Sequence, residues 1–148
     1  MIVCLQRVTH ANVRVDDRTV GSIKNGLLAL VGIGAEDDAD VVAAIAQKVA
    51  TLRIFSDQDG KMNLSVQDIG GSVLSVSQFT LLADCRRGRR PAFTAAAPPE
   101  IAIKRWQSFN ETLSSLGIHV ETGRFGADMQ VELQNNGPVT IVLDSDKL

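Results

Sequence analysis

Tyrosine is absent from this 148-residue sequence, and histidine and cysteine occur only twice each, as His10 and His119 and as Cys4 and Cys85. The usual catalytic toolkit is therefore thin. Two widely separated cysteines make neither a CxxC pair nor a disulfide framework, which fits a reduced, cytosolic setting. No HExxH, Cys/His cluster or EF-hand carboxylate loop is present, so no metal is expected. DQDGKMN superficially resembles a calcium loop but lacks the later glutamate and the spacing. GxSxG and GxxxxGKS are missing as well. No apolar run approaches the roughly 20 residues of a membrane helix. MIVCLQRVTHANV does not read as a signal peptide. A net charge of −2 gives no global basic field, so any nucleic-acid contact must come from a local patch.

What is present describes an ordinary globular chain, 45% hydrophobic and 22% charged, read as one domain over residues 1–148. IVCLQRV (2–8), NVRV (12–15) and RTVGSI (18–23) have the β-branched content of strands, with His10 in a polar turn between the first two. GLLALVGIG (26–34) is nearly continuous in its apolar character, as a strand buried on both faces requires. Val42, Ile45, Val49 and Leu52 then recur at helical spacing, with Asp38 or Asp40 available as a cap. SDQDGKMNLSVQDIGG reads as a polar surface loop, and SVLSVSQFTLL (72–82) as a central strand. A second helix opens at Pro98-Pro99 and closes at Gly117, with Asn110 the one polar residue on its apolar face. IHVET, DMQVELQ and PVTIVL end the chain as strands. Strand groups separated by helices imply an α/β fold, with curved sheets covered by helices on one side.

Three segments carry candidate chemistry. Ser77, Gln78, Phe79 and Thr80 fall where a buried strand ends, a place where polar side chains either line a site or satisfy local backbone groups. Arg86, Arg87, Arg89 and Arg90 concentrate charge in a short loop, either a solvated surface or a phosphate contact. NNGPVT (135–140) contains Asn136-Gly137, a strong hairpin signal, followed by Pro138, which cannot donate to a returning strand.

Taken together, LQRV, SQFTLLAD, RRGRRPAF, AAPPE, ETGRFGADMQV and NNGPVT resemble the D-aminoacyl-tRNA deacylase family, in its order and over nearly the whole chain. The resemblance implies a three-layer β/β/α arrangement, with two curved sheets forming a pseudo-barrel and helices on one side. It implies a homodimer without metal or cofactor, acting in the cytoplasm on aminoacyl-tRNA and binding neither DNA nor membrane. The implied reaction hydrolyses the ester of D-aminoacyl-tRNA, or of glycyl-tRNA mischarged on the tRNA for alanine. It also implies a cis Gly137–Pro138 bond, whose loop enters the neighbouring subunit's site and excludes L-side chains.

By the same resemblance Ser77, Gln78, Phe79 and Thr80 form the catalytic segment, the backbone N–H of Phe79 being the expected oxyanion donor. Arg7 is expected to hold the Gly-Pro loop, because carbonyl oxygens need a donor to fix them, or else to make a surface ion pair. Phe125, Gly126, Ala127 and Met129 are expected in the pocket wall or behind the loop, or else in plain core packing. The four arginines are expected on the acceptor-stem phosphates. Two mechanisms stay open, with Thr80 as nucleophile or with the terminal ribose 2′-hydroxyl assisting water. A non-catalytic RNA-binding dimer is the competing reading.

Overall fold

The computed structural model describes all residues, 1–148. Eight strands and two α-helices follow in the order β1 (Ile2–Val15), β2 (Arg18–Ile23), β3 (Gly26–Gly32), α1 (Ala39–Thr51), β4 (Phe55–Ser56), β5 (Met62–Leu64), β6 (Ser72–Ser77), α2 (Pro99–Ser115), β7 (His119–Thr122) and β8 (Gln130–Asp144). Short 3-10 turns cover Phe79–Leu82 and Ser145–Lys147. No helix is long and apolar enough to cross a membrane.

One mixed sheet runs β2-β1-β3-β6-β7, with β8 paired to β1. The β1 pairings are antiparallel. The β3–β6 and β6–β7 pairings are parallel, and α1 and α2 lie in their respective connections. The sheet curls until its two ends meet. A Cβ on Gly21 of β2 would lie 2.6 Å from the Thr122 carbonyl oxygen of β7, so only glycine lets these strands approach. The result is an α/β pseudo-barrel whose opposed walls and flanking helices supply the β/β/α layers.

Side-chain alternation assigns the two cores. Val3 and Leu5 of β1, with Leu27, Ala29 and Val31 of β3, face Val42, Ile45 and Val49 of α1 and Trp106, Phe109 and Leu113 of α2. Val8, Ala11, Val13, Leu28, Leu74 and Val76 fill the barrel interior. Strand β3 is thus buried on both faces, as its continuous apolar run requires. In β1 the inward positions change parity after Val8, where its register with β8 shifts between Val8 and His10. An extra residue there turns every later side chain over, so one strand serves both cores.

Several local readings change. Asn136-Gly137 makes no hairpin, because β8 is continuous through it. Between the Gln6↔Thr140 and Val8↔Asn135 pairs, β8 advances five positions while β1 advances two. The surplus bulges outward around Gly137-Pro138, and the long partner strand overrides the local turn preference. For the same reason His10 belongs to β1 and not to a turn. The segment 72–82 leaves the sheet after Ser77 and turns into the 3-10 helix. The polar loop after α1 holds the small β4–β5 pair, bound through Asp57, whose carboxylate accepts from the Asp59 and Lys61 amides and from Asn63 Nδ2.

Candidate active site

The parallel strand β6 ends at Ser77, and Gln78 keeps one more sheet bond by donating its N–H to the Val31 carbonyl at 2.7 Å. The chain then turns, leaving Phe79 54% exposed at the mouth of a cleft of about 770 Å³. Ser77, Gln78 and Phe79 form one wall. Phe125, Gly126, Ala127 and Met129 form another. Over a floor that includes Ile33, Val76, Ala102 and Val131, the cleft is lined as well by Phe93, Thr94 and the Ala96–Pro99 stretch leading into α2. Sequence reasoning did not single these last out as site residues, although RRPAF and AAPPE pointed to their segments. Eleven of the 18 lining residues are hydrophobic, and Asp128 is the only ionisable side chain among them. Apolar walls with few polar groups suit a small organic ligand.

Each wall is held from behind. Phe93 packs edge-on against Phe79 with ring centroids 5.0 Å apart. The buried Ser75 hydroxyl accepts from Trp106 Nε1 at 2.8 Å, and Trp106 lies against Phe125 with centroids 6.0 Å apart. The Gly123 N–H donates to the Ser75 carbonyl at 3.0 Å, which ties the Phe125–Met129 segment to β6. Gly126 has φ +73°, a left-handed residue in the turn that the Ala127 N–H closes onto the Arg124 carbonyl at 3.2 Å.

Thr80 does not line the cleft; its hydroxyl accepts from Gln78 Nε2 just outside it. Neither histidine reaches the cleft. His10 lies on β1 and His119 on β7, its Nε2 3.1 Å from Glu121 Oε1. No group of three or more His, Cys, Asp or Glu side chains converges anywhere in the chain.

The arginine loop hangs from the cleft's rim. Asp84 and Ala92 exchange backbone hydrogen bonds of 2.7 and 3.0 Å, which close the turn just before Phe93. The four arginines are exposed but not equivalent. Arg86 is bound by Asp84 through two bonds, Nε to Oδ1 at 2.9 Å and Nη2 to Oδ2 at 2.7 Å. That fork holds the Asp84 carboxyl below the usual carboxylate range and raises Arg86. Arg87, Arg89 and Arg90 make no ion pair within the chain.

Gly137 and Pro138, joined by a cis peptide, are exposed and line no part of their own chain's cleft. Arg7 lies beneath them at 8% exposure. Its Nε donates to the Asn136 carbonyl at 3.0 Å and its Nη1 to the Ile54 carbonyl at 2.7 Å. The alternative of a surface ion pair falls away, since Arg7 is buried and has no carboxylate partner. Gly137 has φ +133°, and a Cβ there would lie 2.8 Å from Arg7 Nη2. Both its conformation and its closeness to Arg7 therefore require glycine.

A family model for D-Tyr-tRNA(Tyr) deacylase matches residues 4–144. The chain belongs to this family. Relatives named D-aminoacyl-tRNA deacylase include one from Thermotoga petrophila, 57% identical with 97% of each chain covered. Another, from Lactobacillus delbrueckii subsp. bulgaricus, is 55% identical and covers 97% of this chain and 99% of its own. A solved structure titled c-Myc DNA Unwinding Element Binding Protein superimposes with TM-score 0.92 at 39% identity, covering 97% of this chain and 98% of its own. That of a probable eukaryotic D-amino acid tRNA deacylase shares the fold, with TM-score 0.83 at 15% identity over 96% and 97% of the two chains. Membership in the D-Tyr-tRNA(Tyr) deacylase family makes the chain an ester hydrolase acting on aminoacyl-tRNA, and not a non-catalytic RNA-binding module.

Proposed function

We propose that this chain hydrolyses the ester joining a D-amino acid, or glycine, to the 3′-terminal adenosine of tRNA, releasing free tRNA and the amino acid. It works as a cytoplasmic homodimer in which the Gly137-Pro138 protrusion of one protomer closes the cleft of the other. Glycyl-tRNA mischarged on the tRNA for alanine is a second substrate. One observation carries this reading: a main-chain protrusion held by the buried Arg7 is exposed outside its own cleft. A fixed backbone placed over the α-carbon would leave no room for an L-side chain. A D-side chain would point outward, and glycine has none to exclude. A steric wall of this kind discriminates by rejecting the wrong form. An apolar pocket that senses a methylene contributes only ~1–3 kcal/mol.

The chemistry follows from the strand end. The 3-10 turn starts at Phe79, so its first N–H groups have no partner within the turn, and Gln78 supplies no side-chain cap. The Phe79 N–H is the donor for the oxygen that becomes negative when water adds to the ester carbonyl. A donor of this kind contributes about 2.7–4 kcal/mol in the transition state. Collapse of the adduct breaks the bond to the ribose 3′-oxygen, which takes up a proton, and the amino acid leaves as its carboxylate. Thr80 as nucleophile would need a base. Its hydroxyl instead meets Gln78, and no histidine lines the cleft. This favours water assisted by the ribose 2′-hydroxyl, with Ser77 and Gln78 shaping the wall. The exposed Arg87, Arg89 and Arg90, with Arg86 beside them, face the acceptor-stem phosphates.

The test is ester loss from D-aminoacyl-tRNA and its L-counterpart, with chelator present. Selective loss of the D-ester supports the reading, and binding without turnover overturns it. A Thr80→Ala variant that is inactive, beside normal turnover of a 2′-deoxy substrate, would transfer the chemistry to Thr80.

A further inference from the structure

The two ends of the protrusion are joined by a side chain that the mechanism above does not use. Asn135 Nδ2 lies 2.9 Å from Gln6 Oε1, 3.0 Å from the Arg7 carbonyl and 3.1 Å from the Val139 carbonyl. Backbone carbonyls only accept, so the amide NH2 and not Oδ1 must face this side, its two hydrogens shared among three acceptors. These bonds span the neck of the bulge. Asn135 stands before Gly137-Pro138, Val139 follows, and Arg7 belongs to the strand beneath. Gln6 Oε1 is oriented in turn by the Thr140 hydroxyl, which donates to it at 2.7 Å. Val139 is buried, so the far side of the neck is anchored in the core. LQRV and NNGPVT, two separate motifs in the sequence, thus form one clasp, with Arg7 below the protrusion and Asn135 across its base.

We infer that Asn135 is a positioning residue for chiral selection: its amide sets the height and direction at which the Gly137-Pro138 main chain leaves the sheet. This rests on the proposed role of that protrusion as the barrier to L-side chains. Asn135 lines no part of its own chain's cleft, and its amide is engaged with the neck of the protrusion, so it acts through the backbone it holds. Loosening the clasp would let the barrier move and admit the L-ester, while the Phe79 side of the cleft remains as it is.

The test compares kcat/KM for D- and L-aminoacyl-tRNA in the wild-type enzyme, in Asn135→Asp and in Thr140→Val. Asn135→Asp keeps the shape but turns an oxygen toward backbone carbonyls. The expected result is a fall of about tenfold or more in the D-to-L ratio, from a rise in L-ester hydrolysis. A general loss of fold would lower both rates together. Thr140 is exposed, so Thr140→Val tests the clasp without burdening the core; it should lower the ratio by a smaller factor. An unchanged ratio in folded Asn135→Asp overturns the inference, as does an unchanged ratio in Thr140→Val should Asn135→Asp not fold. If the wild-type enzyme itself fails to prefer the D-ester, the proposed function fails first, and the two failures are distinct.

Discussion

Arg7 and Asn136 are joined by a 3.0 Å hydrogen bond in which the buried guanidinium donates to the main-chain carbonyl just ahead of Gly137. No carboxylate shares that guanidinium. Its role is therefore directional, a fork of donors aimed at carbonyls on two segments, and a lysine cannot reproduce it. Arg7→Lys is expected to lower stability by about 1–3 kcal/mol, since the buried Ile54 carbonyl or the half-buried Asn136 carbonyl loses its donor. The D-to-L preference should fall with it. Urea unfolding and paired D/L kinetics check the two effects separately.

Ser75 and Trp106 connect the sheet to α2 behind the cleft. Ser75→Ala leaves the indole N–H buried without an acceptor, which should cost about 1–3 kcal/mol. The urea midpoint should drop while the slope stays constant.

Gly21 closes the barrel by bringing β2 against the Thr122 carbonyl. Gly21→Val forces these strands apart and should destabilise the protein by about 1–3 kcal/mol or more, by overpacking. Backbone strain is not the cause, because Gly21 has no left-handed φ. Thermal unfolding measures the loss.

The arginine loop should respond unequally. Arg86 is held by Asp84, so replacing Arg87 and Arg89 together should raise KM more than replacing Arg86 alone. Every arginine–phosphate pairing removed should reduce the salt dependence of binding by about 0.7–0.9 in log–log slope. Titration of tRNA binding against salt gives the number directly.

Acid should loosen the β4–β5 corner. Hydrogen bonds from the Asn63 side chain and the Lys61 backbone hold the Asp57 carboxyl below its usual value, which is about 3.9. A depressed carboxylate contributes stability that is present above its unfolded pKa and lost as pH falls through the folded one. Stability should therefore decline as pH drops below about 4. In Asp57→Asn that decline should be shallower, as urea midpoints between pH 5 and 3 would show, values about one unit either side of the carboxylate range.

What was legible in the sequence follows from which interactions are local. The unbroken apolar run of β3 announced burial on both faces, and Asp38 caps α1 by accepting from the Val41 N–H at 2.9 Å, as its position allowed. Polar residues at the end of β6 marked one wall of the cleft. Asn136-Gly137 misled because a two-residue preference competes poorly with pairing along the whole of β1, which carries the strand through. Asn135 was illegible for a related reason: its partners Gln6 and Arg7 lie more than a hundred residues away in sequence. The inequality of the four arginines had one visible cue, the Asp84-x-Arg86 spacing.

The proposed barrier to L-side chains comes from the neighbouring protomer. It is tested most directly by a crystal structure with a non-hydrolysable, amide-linked D-aminoacyl adenosine. The expected density shows main-chain carbonyls at Gly137 and Pro138 of the partner subunit facing the ligand's α-carbon, with the Phe79 N–H on its carbonyl oxygen. A ligand enclosed by residues of one protomer alone, with both protrusions free in solvent, would contradict it.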